Sequence, residues 1–236
     1  MNKIKKSLQD VVSQIKDGST VMIGGFGGSG APIELIHALI DTGAKNLTVI
    51  NNNAGNGHVG LAALIEHKRV SKIICSFPRS SDPKVFNDLY LAGEIELEIV
   101  PQGTLAERIR AGGAGIPAFY TPTGVGTEVA KGKKEASFEG KRYIQEKWLK
   151  ADFSLVKADT SDTAGNLTYR RAARNFNPLM AMAATTTIVQ AANVVEVGDI
   201  DPDQIVTPGI FVNTVIEVTN PQQEEALNRA GARYPC

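Results

Sequence analysis

The sequence holds two cysteines, Cys75 and Cys236, among 236 residues. Neither has a CxxC companion, which argues against a disulfide framework, a thiolate metal site and an oxidising compartment. Charge of one sign is also lacking, because 25 Lys and Arg balance 25 Asp and Glu for a formal net charge of +0. Without cationic excess a chain is poorly made to neutralise a run of phosphates, so no nucleic-acid partner is expected. No apolar stretch approaches the roughly 18 residues that cross a bilayer. The opening Met1-Asn2-Lys3-Ile4-Lys5-Lys6 reaches Gln9-Asp10 without the apolar segment of a secretory signal. The expected setting is therefore soluble and cytoplasmic, with no membrane partner. Aromatics make up only 6% while glycine occurs 23 times, which points to many tight backbone turns. Apolar residues at 42% and charged residues at 21% place the chain in the globular range, with enough length for a substantial core.

Short apolar runs alternate with helix-periodic segments, the pattern of an α/β fold. Leu8, Val11, Val12 and Ile15 recur at helical spacing before Asp17-Gly18. Strands are predicted at 20–23, 47–50, 72–75 and 97–100, and helices at 33–40, 61–67, 85–91 and 105–110. Pro32 sits where proline suits a first helical turn. Beyond Ala118 the pattern loosens: 121–126 is loop-like, and the charged stretch 131–142 reads as a solvated excursion or small hairpin. Strand signals resume at 153–156, 186–189 and 194–197. The segment after Thr219 reads as an exposed terminal helix or frayed end. A single domain over 1–236 is expected, with a small excursion near 118–150.

Gly24-Gly25-Phe26-Gly27-Gly28-Ser29-Gly30 lies between a predicted strand and a predicted helix, and from Gly25 it satisfies GxGxxG. Glycines let a backbone approach a ligand, and free N–H groups at a helix N-terminus favour an anion. A dinucleotide site also wants an acidic residue about 20 positions on, where this chain has Asn51-Asn52-Asn53. That mismatch weakens the dinucleotide reading, and a tight turn without a ligand stays open beside it. His37, His58 and His67 lack metal-ligand spacing and read as structural or surface residues, so no metal is expected. Arg170, Arg171 and Arg174 suit phosphates or a carboxylate, and equally an interface or an intrachain ion pair. Trp148 reads as a packing anchor.

The order of the motifs carries more. Asp17-Gly18, Val21-Met22-Ile23, Gly24-Gly25-Phe26, Gly30 and Pro32 resemble the signature of the A (alpha) subunits of the family I 3-oxoacid CoA-transferases. The blocks that follow are similar to that family in order. They are Asn52-Asn53-Ala54-Gly55-Asn56-Gly57, Cys75-Ser76-Phe77-Pro78-Arg79, Pro101-Gln102-Gly103-Thr104-Leu105-Ala106-Glu107-Arg108, Thr121-Pro122-Thr123-Gly124, Gly165-Asn166-Leu167-Thr168-Tyr169, Ala173-Arg174-Asn175-Phe176-Asn177-Pro178 and Thr207-Pro208-Gly209-Ile210. The resemblance spans Leu8 to Val218. Its Asn-Asn-Ala-Gly-Asn-Gly and Cys-Ser-Phe-Pro-Arg blocks look most like the 3-oxoadipate members rather than the acetoacetate ones.

The resemblance implies an open three-layer α/β/α sandwich of the CoA-transferase type. It also implies ping-pong transfer of coenzyme A from succinyl-CoA to a 3-oxo acid, 3-oxoadipate ahead of acetoacetate, in aromatic-compound catabolism. In such a reaction a glutamate attacks the acyl-CoA carbonyl, and the returning thiolate forms a glutamyl-CoA thioester that the second carboxylate resolves. That glutamate belongs to a partner B subunit. Accordingly Glu34, Glu66, Glu94, Glu96, Glu98, Glu107 and Glu128 sit in no nucleophile-like block and read as solvated. Coenzyme A and acyl-CoA are expected as substrates, with no permanently bound cofactor. Gln102 and Asn52 match oxyanion and carbonyl support, and Asn53 matches a site asparagine. Gly24, Gly25, Phe26, Gly27, Gly28, Ser29 and Gly30 match a coenzyme A contact. Arg79 is the candidate for a distal substrate carboxylate, with a surface pair to Asp82 as its alternative. A nucleotide-dependent oxidoreductase and a non-catalytic ligand-sensing module are the rivals from other classes.

Overall fold

The computed structural model describes residues 2–236. Its first half steps through β1 (Ile4–Lys5), α1 (Leu8–Val12), β2 (Thr20–Ile23), α2 (Ile33–Thr42), β3 (Leu47–Ile50), α3 (Gly60–Glu66), β4 (Val70–Cys75), α4 (Lys84–Leu91), β5 (Glu96–Ile99) and α5 (Gln102–Gly113). A branch of β6 (Ala118–Thr121), β7 (Glu135–Phe138) and β8 (Lys141–Lys147) follows. The chain returns through β9 (Ala151–Asp162), β10 (Leu167–Thr168), α6 (Asn177–Ala183), β11 (Ala184–Val195), β12 (Thr214–Glu217) and α7 (Glu224–Arg229).

The main sheet runs β1-β12-β11-β9-β2-β3-β4-β5, with every neighbour in that path parallel and β10 added antiparallel to β9. Parallel strands need both faces covered, and the apolar runs supply this through the twofold alternation of side chains. Val21 and Ile23 join the core shared with α1, α2, α3 and α4, whereas Met22 between them joins the core of α5 and α6. Val49 and Ile73 repeat the first choice, and Ile50 and Ile74 the second. The result is a three-layer α/β/α sandwich.

Several elements depart from the sequence-based expectation. The first helix stops at Val12, although Ile15 remains in the core. The strands predicted at 153–156 and 186–189 lie in the first halves of β9 and β11, each 12 residues long, and of the separate strand predicted at 194–197 only Val194 and Val195 remain, as the end of β11. These two strands pair in parallel from Ala184↔Ala151 to Val195↔Asp162. Backbone ladder bonds carry them through Lys157, Asp159 and Asn193, where hydropathy gives no strand signal. The branch at 118–147 is a three-stranded antiparallel sheet, β6-β8-β7, whose first strand has no counterpart in the hydropathy pattern. The segment after Thr219 holds the expected terminal helix, α7, partly exposed, and is not a frayed end, because Glu224 is buried and Tyr234 packs on the core. Among the described residues no helix is long and apolar enough to cross a membrane.

Sheet order places the site. From β2 the chain moves outward through β3, β4 and β5, whereas from neighbouring β9 it moves the other way through β11 and β12. Ligands of open α/β sheets bind beyond strand carboxyl ends near such a reversal. The glycine loop leaves β2 there, with the Gly24 N–H donating to the Leu155 carbonyl at 2.9 Å.

Candidate active site

A cavity of about 940 Å³ opens over the carboxyl ends of β2, β3 and β4 and the first turn of α5. Asn52, Asn53, Ser76 and Gln102 form its floor, Phe26, Gly27 and Gly28 one side, and α7 another. Asn52 is buried, and its Oδ1 accepts from Gln102 Nε2 and from Ser76 Oγ, both at 2.8 Å. With the carbonyl end taken twice, the Asn52 Nδ2 group and a second Gln102 N–H have no protein acceptor among the described residues. Neutral donors held this way suit an oxyanion, because they need no reorganisation when charge develops. Asn51, by contrast, is structural: its Nδ2 donates to the Ile23 carbonyl at 2.6 Å, and its Oδ1 accepts the Asn53 N–H at 2.8 Å. Asn53 repeats the turn by accepting the Gly55 N–H at 2.8 Å, a local bond that asparagine makes readily.

The glycine loop divides its labour. Phe26, Gly27 and Gly28 face the cavity, whereas Gly24, Gly25, Ser29 and Gly30 do not line it. A Cβ on Gly24 would stand 1.9 Å from Asn177 Oδ1, and one on Gly30 would stand 2.5 Å from the Ala173 carbonyl. These two positions are glycine because α6 and the turn before it press against them. Asn177, buried at the start of α6, donates to the Gly30 carbonyl at 3.1 Å and accepts the Lys157 N–H at 3.1 Å. Of the seven loop residues expected to meet coenzyme A, Phe26, Gly27 and Gly28 are the three that face the cavity.

Arg79 lies on the cavity wall, exposed, and among the described residues it forms no ion pair, Asp82 included. Phe26 and Phe77 stand on the rim at 48% and 59% exposure, an apolar lip around a polar floor. His58 pairs with Glu66 at 3.0 Å and meets Arg233. His37 is buried, its Nε2 accepts the Gly60 N–H at 3.0 Å, and burial pulls its pKa down. His67 stacks edge-on with Tyr234. Arg170, Arg171 and Arg174 are exposed at the 3-10 turn 171–174, away from the cavity and without an ion pair among the described residues. Trp148 carries the Lys150 ammonium over its ring at 4.0 Å. Burial pushes the Cys75 thiol up to about 12, so it is no nucleophile. Among the described residues no three His, Cys, Asp or Glu side chains gather as a metal site.

A sequence model of the coenzyme A transferase family matches residues 5–218. The chain belongs to that family. It is 58% identical over 219 residues to the A subunit of 3-oxoadipate CoA-transferase from Pseudomonas putida, covering 93% of this chain and 95% of the relative. The A subunit of a probable succinyl-CoA:3-ketoacid coenzyme A transferase from Bacillus subtilis is 49% identical over 216 residues, covering 92% and 90%. The acyl-CoA transferase YdiF of Escherichia coli O157:H7 shares the fold with a TM-score of 0.82 at 23% identity. That match covers 94% of this chain and 48% of YdiF, so the chain spans about half of its length.

Several glutamates of this coenzyme A transferase depart from the solvated reading: Glu66 and Glu98 are half-buried partners of Arg233 and Arg108, and Glu34 and Glu224 join them. Glu34 is half-buried and accepts from Gln190 Nε2 at 2.6 Å and from the Gln222 N–H at 2.5 Å. Lys157 Nζ donates to the Gln222 carbonyl at 3.1 Å. These bonds seat the C-terminal segment beside the glycine loop. Glu224 follows at the start of α7, 5% exposed and on the cavity wall, with no hydrogen-bond partner for its carboxyl among the described residues. Burial pushes its pKa up to about 8. No motif marked Glu224, since its burial comes from a segment that sequence reading places in solvent.

Proposed function

We propose that the chain is the A-type half of a 3-oxoacid CoA-transferase that moves coenzyme A from succinyl-CoA to 3-oxoadipate, with the nucleophilic glutamate supplied by a B subunit. The observation that carries this reading is the Asn52–Gln102–Ser76 network at the cavity floor. Attack of a glutamate carboxylate on the thioester carbonyl makes a tetrahedral oxyanion, which Asn52 Nδ2 and Gln102 Nε2 are placed to receive. Donors of this kind are worth about 2.7–4 kcal/mol each in acyl transfer. Expulsion of the thiolate leaves a mixed anhydride. The thiolate then attacks the glutamyl carbonyl and releases succinate, and the incoming 3-oxo acid resolves the glutamyl thioester by the reverse steps.

The chain's own cavity glutamates do not suit the nucleophile's part. Glu225 is paired with Arg229, and Glu224 is buried without a cation, so neither offers a free, ionised carboxylate. A second chain is also in keeping with the half-length match to the longer transferase. Arg79, unpaired on the wall, suits the distal carboxylate that 3-oxoadipate has and acetoacetate lacks. We assign the enzyme to the cytoplasm and its step to aromatic-compound breakdown on the same reading.

The test is to purify the chain alone and with the product of its neighbouring reading frame, then assay transfer from succinyl-CoA to a panel of 3-oxo acids. The isolated chain is expected to transfer nothing, and the complex to favour 3-oxoadipate. Turnover by the isolated chain overturns the half-site reading. Preference for acetoacetate overturns the substrate assignment.

A further inference from the structure

The same cavity contains a carboxyl that the reaction scheme does not use. We propose that Glu224 is a substrate-contacting group of the site, a neutral carboxyl that donates its proton in a hydrogen bond to a carboxylate of the bound acid. This rests on the reading that a carboxylic acid occupies the cavity.

The geometry is specific. Glu224 is wedged between two glycines: its Cβ lies 3.1 Å from where a Cβ on Gly28 would stand, and its Oε2 lies 3.8 Å from where one on Gly60 would stand. Neither neighbour provides a side-chain donor. The Gly60 N–H is already given to His37 Nε2. On α2, Glu34 is occupied by Gln222 and Gln190. On β9, the Lys157 ammonium is spent on the Gln222 carbonyl. On α7 itself, Glu225 pairs with Arg229 and Asn228 donates to the Asn56 carbonyl. Arg79, Asp82 and His58 also line the cavity, the last held by Glu66 and Arg233. No cation lies within ion-pair reach of Glu224 among the described residues.

A carboxyl so placed is costly to ionise. Kept neutral, it has one O–H to give, no protein acceptor to give it to among the described residues, and a place on the cavity wall. A substrate carboxylate is the acceptor that makes the strongest bond to such a donor, since an O–H···O⁻ contact is charge-assisted. Once ionised, Glu224 would instead repel every anionic acid in the cavity. Acid binding and proton retention at Glu224 are therefore linked: the bound acid raises the carboxyl's hold on its proton, and loss of the proton weakens the acid.

The experiment uses the complex with the B subunit. The second-order constant kcat/KM for the acceptor acid is followed across pH with 3-oxoadipate and with acetoacetate, both of which carry the carboxylate that receives coenzyme A. The wild-type constant is expected to fall roughly tenfold between about pH 7 and about pH 9, as the protonated fraction falls. Glu224→Gln keeps a neutral donor in place and should lose that alkaline limb with either acid. Succinate, the acid common to both substrate readings, gives a second readout by calorimetry in buffers of different ionisation heat. Wild type should take up about half a proton per site near pH 8, where half of the free carboxyls already hold one, rising toward one as the pH is raised, and Glu224→Gln none. An unchanged alkaline limb in Glu224→Gln overturns the proposal. So does succinate binding to wild type without proton uptake, a result that needs no variant to fold.

Discussion

The cavity has one wall of strand ends and one wall from the C-terminal segment, and the two differ in chemistry. On the strand-end wall the groups of the floor are neutral amides and a hydroxyl, with the Arg79 cation beside them. Asn52, Gln102 and Ser76 hold each other at 2.8 Å, so their spare donors are aimed before substrate arrives. On the other wall, Glu224 is buried without a partner among the described residues, and burial pushes its pKa up to about 8. A wall that stabilises transient charge gains from rigidity, whereas a wall that admits or refuses an anion can work through one titrating group. The backbones beneath them differ likewise: the first stands on parallel strands of the central sheet, the second on a segment held by Glu34 and Lys157.

The largest effect is expected from Asn52→Ala, which removes the acceptor that both Gln102 and Ser76 use. We expect kcat of the assembled enzyme to fall on the order of 10²–10³, with KM changed far less, as steady-state kinetics will read. A change confined to KM would make the strand-end wall a binding surface only. Arg79→Ala comes next: loss of a charge-assisted contact of about 1.5–3 kcal/mol should cut kcat/KM for 3-oxoadipate by about 10- to 100-fold and leave acetoacetate nearly untouched. Equal losses on both acids would remove Arg79 from substrate recognition.

Smaller effects sharpen the picture of the chain-end wall. Glu34→Ala strands the Gln222 N–H and the Gln190 amide, so denaturant titration should show a loss of about 1–3 kcal/mol, and limited proteolysis should cut the C-terminal segment sooner. Unaltered proteolysis would mean that Glu34 does not seat that segment.

Stability against pH should separate two buried groups by sign. Glu224 has its folded pKa raised to about 8 from 4.5, so the folded state holds the extra proton. Its contribution is complete below the unfolded pKa and is lost as pH rises through about 8. His37 is shifted down from 6.5; the unfolded state protonates first, and stability is lost as pH falls below that value. Thermal midpoints of Glu224→Gln should therefore lack the alkaline part of the wild-type decline and keep the acidic part.

Much of this was legible because it is local. The apolar runs at 20–23, 47–50 and 72–75 became β2, β3 and β4, since alternating burial on two faces is written in consecutive residues. Asn52, Asn53, Arg79 and Gln102 all reached one cavity, because a residue just beyond a parallel strand is delivered to the same edge as its neighbours. The limits of β9 and β11 were not legible, as their polar ends are strands only by virtue of pairing with each other.

The sequence by itself determined that a glycine loop follows β2, and that asparagines and a glutamine end the neighbouring strand units. It could not determine which glycines serve a ligand and which serve packing, because Gly24 and Gly30 are constrained by Asn177 and Ala173, far along the chain. Nor could it determine that Glu224 is buried. A polar residue near a chain end reads as solvated until tertiary contacts decide otherwise. Here the bonds at Gln222 lay the final helix across Gly28 and Gly60. Protonation follows from the solvent that a group retains, and that is fixed only when distant segments close over it.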